Sequence, residues 1–340
     1  MSKQNIVSPQ CWTKLLCLAQ SANDGNDGQS NQLMSKQDQK FVENAMAEAM
    51  HLTDPVRHMT KYIEQLKLIR NNDVDSVAEI VDNLEELICD IDCAADFCKL
   101  DGLVEVIRLL KSNCDPIRCE MARLIPLLAQ NNPYVQNVML ETDLLLYLLN
   151  ALEEINASED LLMKVLSALS SVVRGHEKTF KQVFIYLFYH LKGLERIECV
   201  FQKAVDTHHL RVANKAVLIT TNIAISVAPD VRQYNILSVL LRMTLQLSSH
   251  SEGCSYFLDY LMSNIVDKDV NNSDLKSDEC RINFGKLDNH SKQHFCEFLK
   301  RQLEYEERSQ QKGCLERSIK MNVVLDEYTR NFKLEEVSKT

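Results

Sequence analysis

Glycine and proline are scarce in this chain, which has 8 of the former and 6 of the latter among its 340 residues. Tight β-hairpin turns and the loops of dinucleotide-binding folds both depend on glycine, so this scarcity disfavours β-rich and Rossmann-type folds. Helices joined by short polar turns need little of either residue, and hydrophobic residues make up 45% of the chain. The composition therefore predicts an all-α protein with a sizeable core.

A surplus of positive charge is also missing, because the formal net charge is -10 and the isoelectric point lies near 5.5. Nucleic-acid-binding domains are usually basic, and anionic membranes attract basic segments, so we expect neither partner. No apolar run reaches the roughly 18 residues that a membrane helix needs, and residues 1–20 lack the pattern of a secretory signal. We expect a cytoplasmic monomer, with nuclear entry left open, that binds a basic or mixed protein surface.

Catalytic and metal-binding motifs are absent from the sequence, which contains no P-loop, GxGxxG, GxSxG or HExxH pattern. Its 12 cysteines include Cys89, Cys93 and Cys98, but no CxxC pair has a matching second pair. Buried thiols in helix cores explain them better than zinc does, and His208 and His209 fit a turn between repeats. We expect no enzyme activity, no cofactor and no metal.

Composition and apolar pattern divide the chain into five segments. We expect a flexible N-terminal segment with a short amphipathic helix, N-terminal capping helices, an armadillo-like repeat region, a polar loop and C-terminal capping helices. In that order the segments are residues 1–38, 39–72, 73–266, 267–292 and 293–340.

Residues 73–266 repeat with a period near 40 residues, which is the spacing of armadillo or HEAT units. Leu100 and Leu140 occupy equivalent positions, and turn signals such as Asp115-Pro116 recur between Leu-rich helices. A single unit cannot bury both faces of its helices, so neighbouring units must stack on one another. The pattern predicts an all-α, armadillo-like solenoid, wound as a right-handed superhelix and closed by helical caps.

Three stretches within the repeats resemble a known family. They are 94–103 (AADFCKLDGL), Arg118 with 122–131 (ARLIPLLAQN), and 164–174 (KVLSALSSVVR). They resemble the heat-shock-protein-70-binding protein family, the cytosolic armadillo-type nucleotide exchange factors of yeast Fes type. The likeness covers most of the chain. Pro126 departs from it, and we expect this proline to kink its helix or to remove one hydrogen bond.

The resemblance implies a specific function. Members of this family embrace lobe II of the nucleotide-binding domain of a cytosolic heat-shock protein 70 with the concave face of the solenoid. The docked solenoid is incompatible with closed lobes, so the cleft opens, ADP leaves, and ATP rebinding releases the client. Such a factor binds the open state more tightly and shifts the population towards it. The resemblance also assigns a part in client release to residues 1–38.

Candidate partner contacts follow from armadillo geometry, because the last helix of each unit lines the concave groove and exposes a side chain every three to four residues. Their arginines and lysines predict a positive ladder within an acidic protein, although any one of them fits an ordinary solvated face as well. The candidates are Arg118, Arg123, Gln130, Lys164, Ser167, Ser171, Arg174, Arg211, Lys215, Thr221, Asn222, Tyr256 and Asp259.

The alternative is a peptide-binding armadillo scaffold without exchange activity. Classical peptide-binding armadillos carry a ladder of Asn, together with Trp, along the groove. In this sequence Asn222 alone resembles that Asn, and the single Trp, Trp12, lies outside the repeats. About five repeats also make a short scaffold for reading a peptide.

Overall fold

The computed structural model describes residues 54–70, 73–154, 156–173, 178–227, 231–264 and 287–309, with the isolated positions 37, 40–42, 44–45, 319, 321–322 and 324–326. The side chains of 178–183, 231–234, 264 and 309 are excepted. The predicted N-terminal helix within 1–38, and most of the polar loop at 267–292, lie outside these residues. The chain divides into two compact units, Met1–Tyr62 and Ile63–Thr340, and the predicted repeats lie in the second.

All regular structure in the described residues is helical, and none of these helices is long and apolar enough to cross a membrane. The helices α1 to α14 run Pro55–Leu68, Val74–Ile88, Ile91–Lys99, Gly102–Leu110, Asp115–Ala129, Pro133–Glu141, Leu144–Glu153, Glu159–Val173, Lys178–His190, Gly193–Asp206, Leu210–Ser226, Val231–Gln246, Glu252–Asn264 and Asn289–Ser309.

Repeat units of three helices stack so that equivalent helices form rows. The first helices α3, α6 and α9 pack in sequence, and the second helices α4, α7, α10 and α12 do the same, with α14 following α12. The third helices α2, α5, α8, α11 and α13 form the row with the closest packing, here called the third-helix row. This arrangement confirms the predicted all-α, armadillo-like repeat solenoid.

The third helices are apolar on most of their surface, which explains why they stack. In α8 the buried residues include Leu161, Val165, Leu166, Leu169 and Val172, so both neighbouring helices in the row cover it. Burying a Val or Leu side chain contributes about 1.5–3 kcal/mol. Stacking therefore supplies each repeat with the core that it could not build alone.

The turn between first and second helix has the same sequence pattern in two repeats. Residues 97–103 and 188–194 both read F-x-x-L-x-G-L. The residue before each glycine, Asp101 or Lys192, has a left-handed backbone with φ of 63° or 53°. A Cβ on Gly102 would lie 2.5 Å from the ring of Phe97. The pattern therefore folds each buried phenylalanine ring over the first turn of the next helix.

Pro126 does not interrupt α5, which continues from Asp115 to Ala129. A proline has no amide hydrogen to donate to the carbonyl four residues earlier, so the helix loses one hydrogen bond at this point. The backbone amide of Gln130 still donates to the Pro126 carbonyl at 3.1 Å. The sequence predicts either a kink or one lost hydrogen bond at Pro126. The hydrogen bond is lost because proline has no amide hydrogen, and the helix continues past it.

The C-terminal boundary of the polar loop was predicted a few residues too late. The helix α14 begins at Asn289, within the segment 267–292 that the sequence assigns to the loop. Asp288 is the reason, because its carboxylate accepts a hydrogen bond from the backbone amide of Ser291 at 2.9 Å. Such a cap satisfies an amide in the first turn and starts the helix early.

Arginines connect consecutive second helices. Arg196 of α10 donates to the Asn150 side chain of α7 at 2.7 Å, and Arg242 of α12 donates to Glu198 of α10 at 2.7 Å. Arg301 of α14 donates to two backbone carbonyls at the end of α12, at 2.6 and 2.5 Å. These cations therefore join repeats to one another.

Candidate functional site

A groove of about 420 Å³ crosses the third-helix row. Four of the predicted contact residues, Gln130, Ser167, Ser171 and Lys215, line it, and residues of α5, α8 and α11 meet there. Ser170 and Gln136 also line it, although the sequence did not single them out. The described residues that line it are Pro126, Ala129, Gln130, Asn131, Gln136, Ser167, Ser170, Ser171 and Lys215.

Small side chains open this groove. Ser167 and Ser171 are half-buried on α8 and project towards the space between α5 and α11. The hydroxyl of Ser171 donates to the Ala168 carbonyl of its own helix at 2.7 Å. The hydroxyl hydrogen of Ser171 is therefore already used in a hydrogen bond within α8. Ser171 contributes to the groove through its small size more than as a hydrogen-bond donor to a partner.

Asn222 is the residue that resembles the ladder Asn of peptide-binding armadillos, and its equivalents in the neighbouring repeats can be found by aligning the third helices on their buried residues. Leu127 of α5, Ser171 of α8 and Asn222 of α11 then occupy equivalent positions. Only one of the three side chains is an amide. The ladder is therefore not continued in these neighbouring repeats.

Asn222 is committed to internal hydrogen bonds. Its Oδ1 accepts from the Tyr256 hydroxyl at 2.8 Å, and its Nδ2 donates to Ser170 Oγ at 3.4 Å. Thr221 is fully buried and donates to the Val217 carbonyl at 2.9 Å. The prediction that Thr221 and Asn222 face solvent is wrong, because α8 and α13 pack against α11 on both sides.

Arg118 was also expected to face solvent, and that prediction is wrong. Its side chain is only 8% exposed, and its two terminal nitrogens donate to both oxygens of Glu154 at 2.6 and 2.7 Å. Asp115 adds a contact at 3.3 Å. Burial lowers the pKa of Arg118, but the hydrogen bonds and charge of Glu154 outweigh burial and raise it. This arginine clamps α5 to the end of α7.

Arg123 is likewise neutralised within the protein. It contacts Asp82 at 2.5 Å, Glu120 at 3.0 Å and Glu85 at 3.6 Å, so it links α5 to α2. Two arginines of the predicted positive ladder therefore do not present free charge. Of the other cations, Lys164 and Arg211 are exposed and Lys215 is half-buried. Arg174 lies outside the described residues.

The remaining candidates lie further along the same row. Tyr256 is half-buried and Asp259 is exposed on α13, while Arg211 is at the start of α11. The structure therefore gathers Gln130, Ser167, Ser171 and Lys215 at one groove. It places the others around that groove or inside the protein.

The cysteines in the described residues are free thiols. Burial raises the pKa of Cys98 to about 11, and burial, followed by the charge of Asp115, raises that of Cys119 to about 11. Such thiols are inert near neutral pH. Cys89 and Cys199 are exposed, contrary to the expectation that the thiols lie in helix cores. Among the residues described, no three His, Cys, Asp or Glu side chains cluster in a way that would hold a metal ion.

Comparison with known proteins places the fold. No protein family matches the chain, and no curated protein is detectably similar in sequence. Among solved structures, a designed armadillo repeat protein in complex with the peptide (KR)4 is similar, with a TM-score of 0.54 and 16% identity over 78% of this chain and 99% of that one. An engineered protein is similar with a TM-score of 0.47 and 12% identity, over 79% of this chain and 97% of that one. The helix rows and the likeness to the designed protein together give this chain an armadillo-like repeat fold.

Proposed function

We propose that this protein is a non-enzymatic binding module that holds a folded protein partner in the groove of the third-helix row. The observation that carries the proposal is the groove itself, which crosses three repeats and is lined by small and polar side chains. Armadillo solenoids commonly use such extended concave surfaces for binding. Chemistry plays no part in the proposal, because the sequence has no catalytic motif.

A folded surface suits this groove better than an extended peptide does. An extended main chain needs repeated amide side chains to pair with it, but the equivalent positions hold Leu127, Ser171 and Asn222. The one amide, Asn222, is 7% exposed and already bonded to Tyr256 and Ser170. Shape and scattered polar contacts therefore have to supply the affinity, as they do between folded domains.

We further propose that the partner is the nucleotide-binding domain of a cytosolic heat-shock protein 70 and that binding promotes exchange of its nucleotide. The support is the sequence resemblance carried by 94–103, 122–131 and 164–174. The factor would bind the open lobes more tightly than the closed lobes. Its differential affinity alone would then raise the population that releases ADP. The factor itself need not contact the nucleotide.

Release of a fluorescent ADP analogue from the chaperone tests the exchange activity. We expect the full chain to accelerate release about tenfold, a typical allosteric coupling. Heat-unfolded chain at the same concentration is the control. An unchanged release rate in the presence of a direct, saturating complex would leave a binding module but remove the exchange activity. No complex at all would remove this partner.

Filling the groove should weaken the complex. Ser171→Tyr replaces a small lining side chain with a large ring, and we expect the affinity for the chaperone domain to fall about tenfold, or 1.4 kcal/mol. Cys199→Tyr is the matched control, because it adds the same ring at an exposed position on the second helix α10. Isothermal titration gives both affinities, and equal affinities for the two variants would place the contact elsewhere.

A peptide-binding scaffold without exchange activity is the second candidate, and one observation favours it. The third helix α2 exposes carboxylates on one face, at Asp75, Glu79 and Glu86, and the similar designed armadillo protein is in complex with a basic peptide. Titration with (KR)4 separates the two candidates. Saturable binding that weakens with salt, together with unchanged ADP release, would support the scaffold.

A further inference from the structure

The C-terminal end of the described repeats is closed by α14, which packs on α12. Phe295, Phe298 and Leu299 of α14 are fully buried, and Phe298 lies 5.4 Å from Phe257 of α13, measured between ring centroids. This helix therefore covers apolar surface that the last repeat would otherwise expose, as a solenoid cap must.

Two histidines lie side by side on this cap. His290 and His294 are one turn apart on α14, and their ring centroids are 4.1 Å apart. His294 is half-buried, and its Nδ1 is buried without a hydrogen-bond partner among the described residues. The buried nitrogen has no acceptor for a second proton, so a charged imidazolium at this position would be poorly solvated.

The charges around His294 come from two helices. On α14 itself, Asp288 and Glu297 favour its charged form, while His290 opposes it. From α12, Arg242 also opposes it, and Arg242 is held in place by its ion pair with Glu198 of α10. Ser291 on the same turn donates from its hydroxyl to the Ser238 hydroxyl of α12 at 2.8 Å, a contact between neutral groups. Arg301 and Tyr305 make further contacts later in the helix, and the Tyr305 ring is 6.2 Å from that of His250.

Among these groups, histidines are the ones whose charge changes just below neutral pH. Hydrogen bonds from the backbone and side chain of Ser291 lower the pKa of Asp288, so this cap of α14 stays ionised until the solution is far more acidic. A change between neutral and mildly acidic pH therefore acts on the histidines.

We propose that protonation of the His290–His294 pair loosens α14 from α12, so that the C-terminal cap of the solenoid is sensitive to mild acid. Two imidazolium rings this close repel each other, and the fixed charge of Arg242 adds to the repulsion. The first helical turns of α14 would detach, and the apolar surface beneath the cap would become accessible.

The direction of the pH dependence follows from His294. Burial first, and then the charge of His290, lower its pKa below the ordinary value of 6.5. The detached helix therefore binds protons more readily than the docked helix. Docking is strongest above the ordinary histidine pKa and weakens as the pH falls below it.

Hydrogen exchange of the full chain at about pH 7.5 and about pH 5.5 tests the proposal. The measured quantity is the protection of the α14 amides, corrected for the intrinsic rate at each pH, with α5 as an internal reference. We expect the protection of the α14 amides to fall about tenfold at the lower pH, while that of the α5 amides changes little.

The double variant His290→Gln/His294→Gln should lose this pH dependence, whatever its protection at neutral pH. His250→Gln is the matched control, because it removes a histidine whose described ring contact near the same helix is with Tyr305, and it should keep the wild-type response. Wild-type protection that is constant with pH would overturn the proposal. So would a double variant whose protection falls as much as that of the wild type.

Discussion

Replacing Gly193 with alanine should lower the free energy of unfolding by about 3 kcal/mol, the upper part of the range for overpacking a core. The added Cβ would lie 2.2, 2.4 and 2.6 Å from three atoms of the Phe188 ring, far inside contact distance. That ring is 1% exposed and stacks on Phe184 at 5.6 Å, so it has little room to move. Propensity alone predicts the opposite sign, because alanine favours a helix by about 1 kcal/mol over glycine.

Urea denaturation followed by circular dichroism measures this loss. Gly253→Ala is the matched control, since it also lies at the start of a helix but its added Cβ would be 3.1 Å from its nearest neighbours. We expect Gly253→Ala to lower the free energy of unfolding by less than about 1 kcal/mol. Phe188→Leu, which removes the obstructing ring, should make the second change at Gly193 nearly neutral in a double-mutant cycle. Additive losses for the two changes would contradict the packing explanation.

The pattern around Gly193 indicates how much of the fold the sequence contains. The repeat period, the polar turns and the Leu-rich helices suffice to predict an armadillo-like solenoid, because each is a local property of the chain. The motif F-x-x-L-x-G-L at 97–103 and 188–194 is equally local, and it marks the junction of first and second helices. The register of the third helices also follows from apolar spacing, which is why four predicted residues do line the groove.

The candidate site was harder to predict, because the contact residues that were predicted wrongly are bonded to partners in other repeats. Arg118 meets Glu154 across 36 positions, and Arg123 meets Asp82 across 41. Helical spacing says which face a side chain occupies, but it does not say whether a carboxylate of the neighbouring repeat has reached that side chain. Asn222 is also bonded by a residue of another repeat, since the Tyr256 hydroxyl on the next third helix donates to its side chain.

Glu154→Gln should cost about 2–3 kcal/mol of unfolding free energy, whereas Arg118→Met should cost less than about 1 kcal/mol. The asymmetry follows from burial, because the Arg118 side chain is 8% exposed and that of Glu154 is 45% exposed. Removing the carboxylate charge strands a guanidinium inside the protein with Asp115 as its remaining carboxylate. Removing the guanidinium leaves a carboxylate that water can solvate, and methionine fills a similar volume.

One further detail favours the methionine variant. Arg118 Nε is buried with no hydrogen-bond partner in the described residues, so the wild-type side chain already carries an unsatisfied donor that methionine lacks.

Glu153→Gln is the matched control, because the adjacent carboxylate is 52% exposed and contacts Arg196 at 3.4 Å. A pair of this kind should contribute about 0–1 kcal/mol. Urea denaturation of the three variants gives the ranking. If Arg118→Met proves more costly than Glu154→Gln, the guanidinium has a packing role that its ion pair does not explain.

Arg118→Met also tests whether Arg118 has a structural role or contacts the partner. An arginine that only clamps α5 to α7 can be replaced without weakening the partner complex. A stable Arg118→Met chain that no longer binds its partner would show that Arg118 contacts the partner, as the sequence predicts.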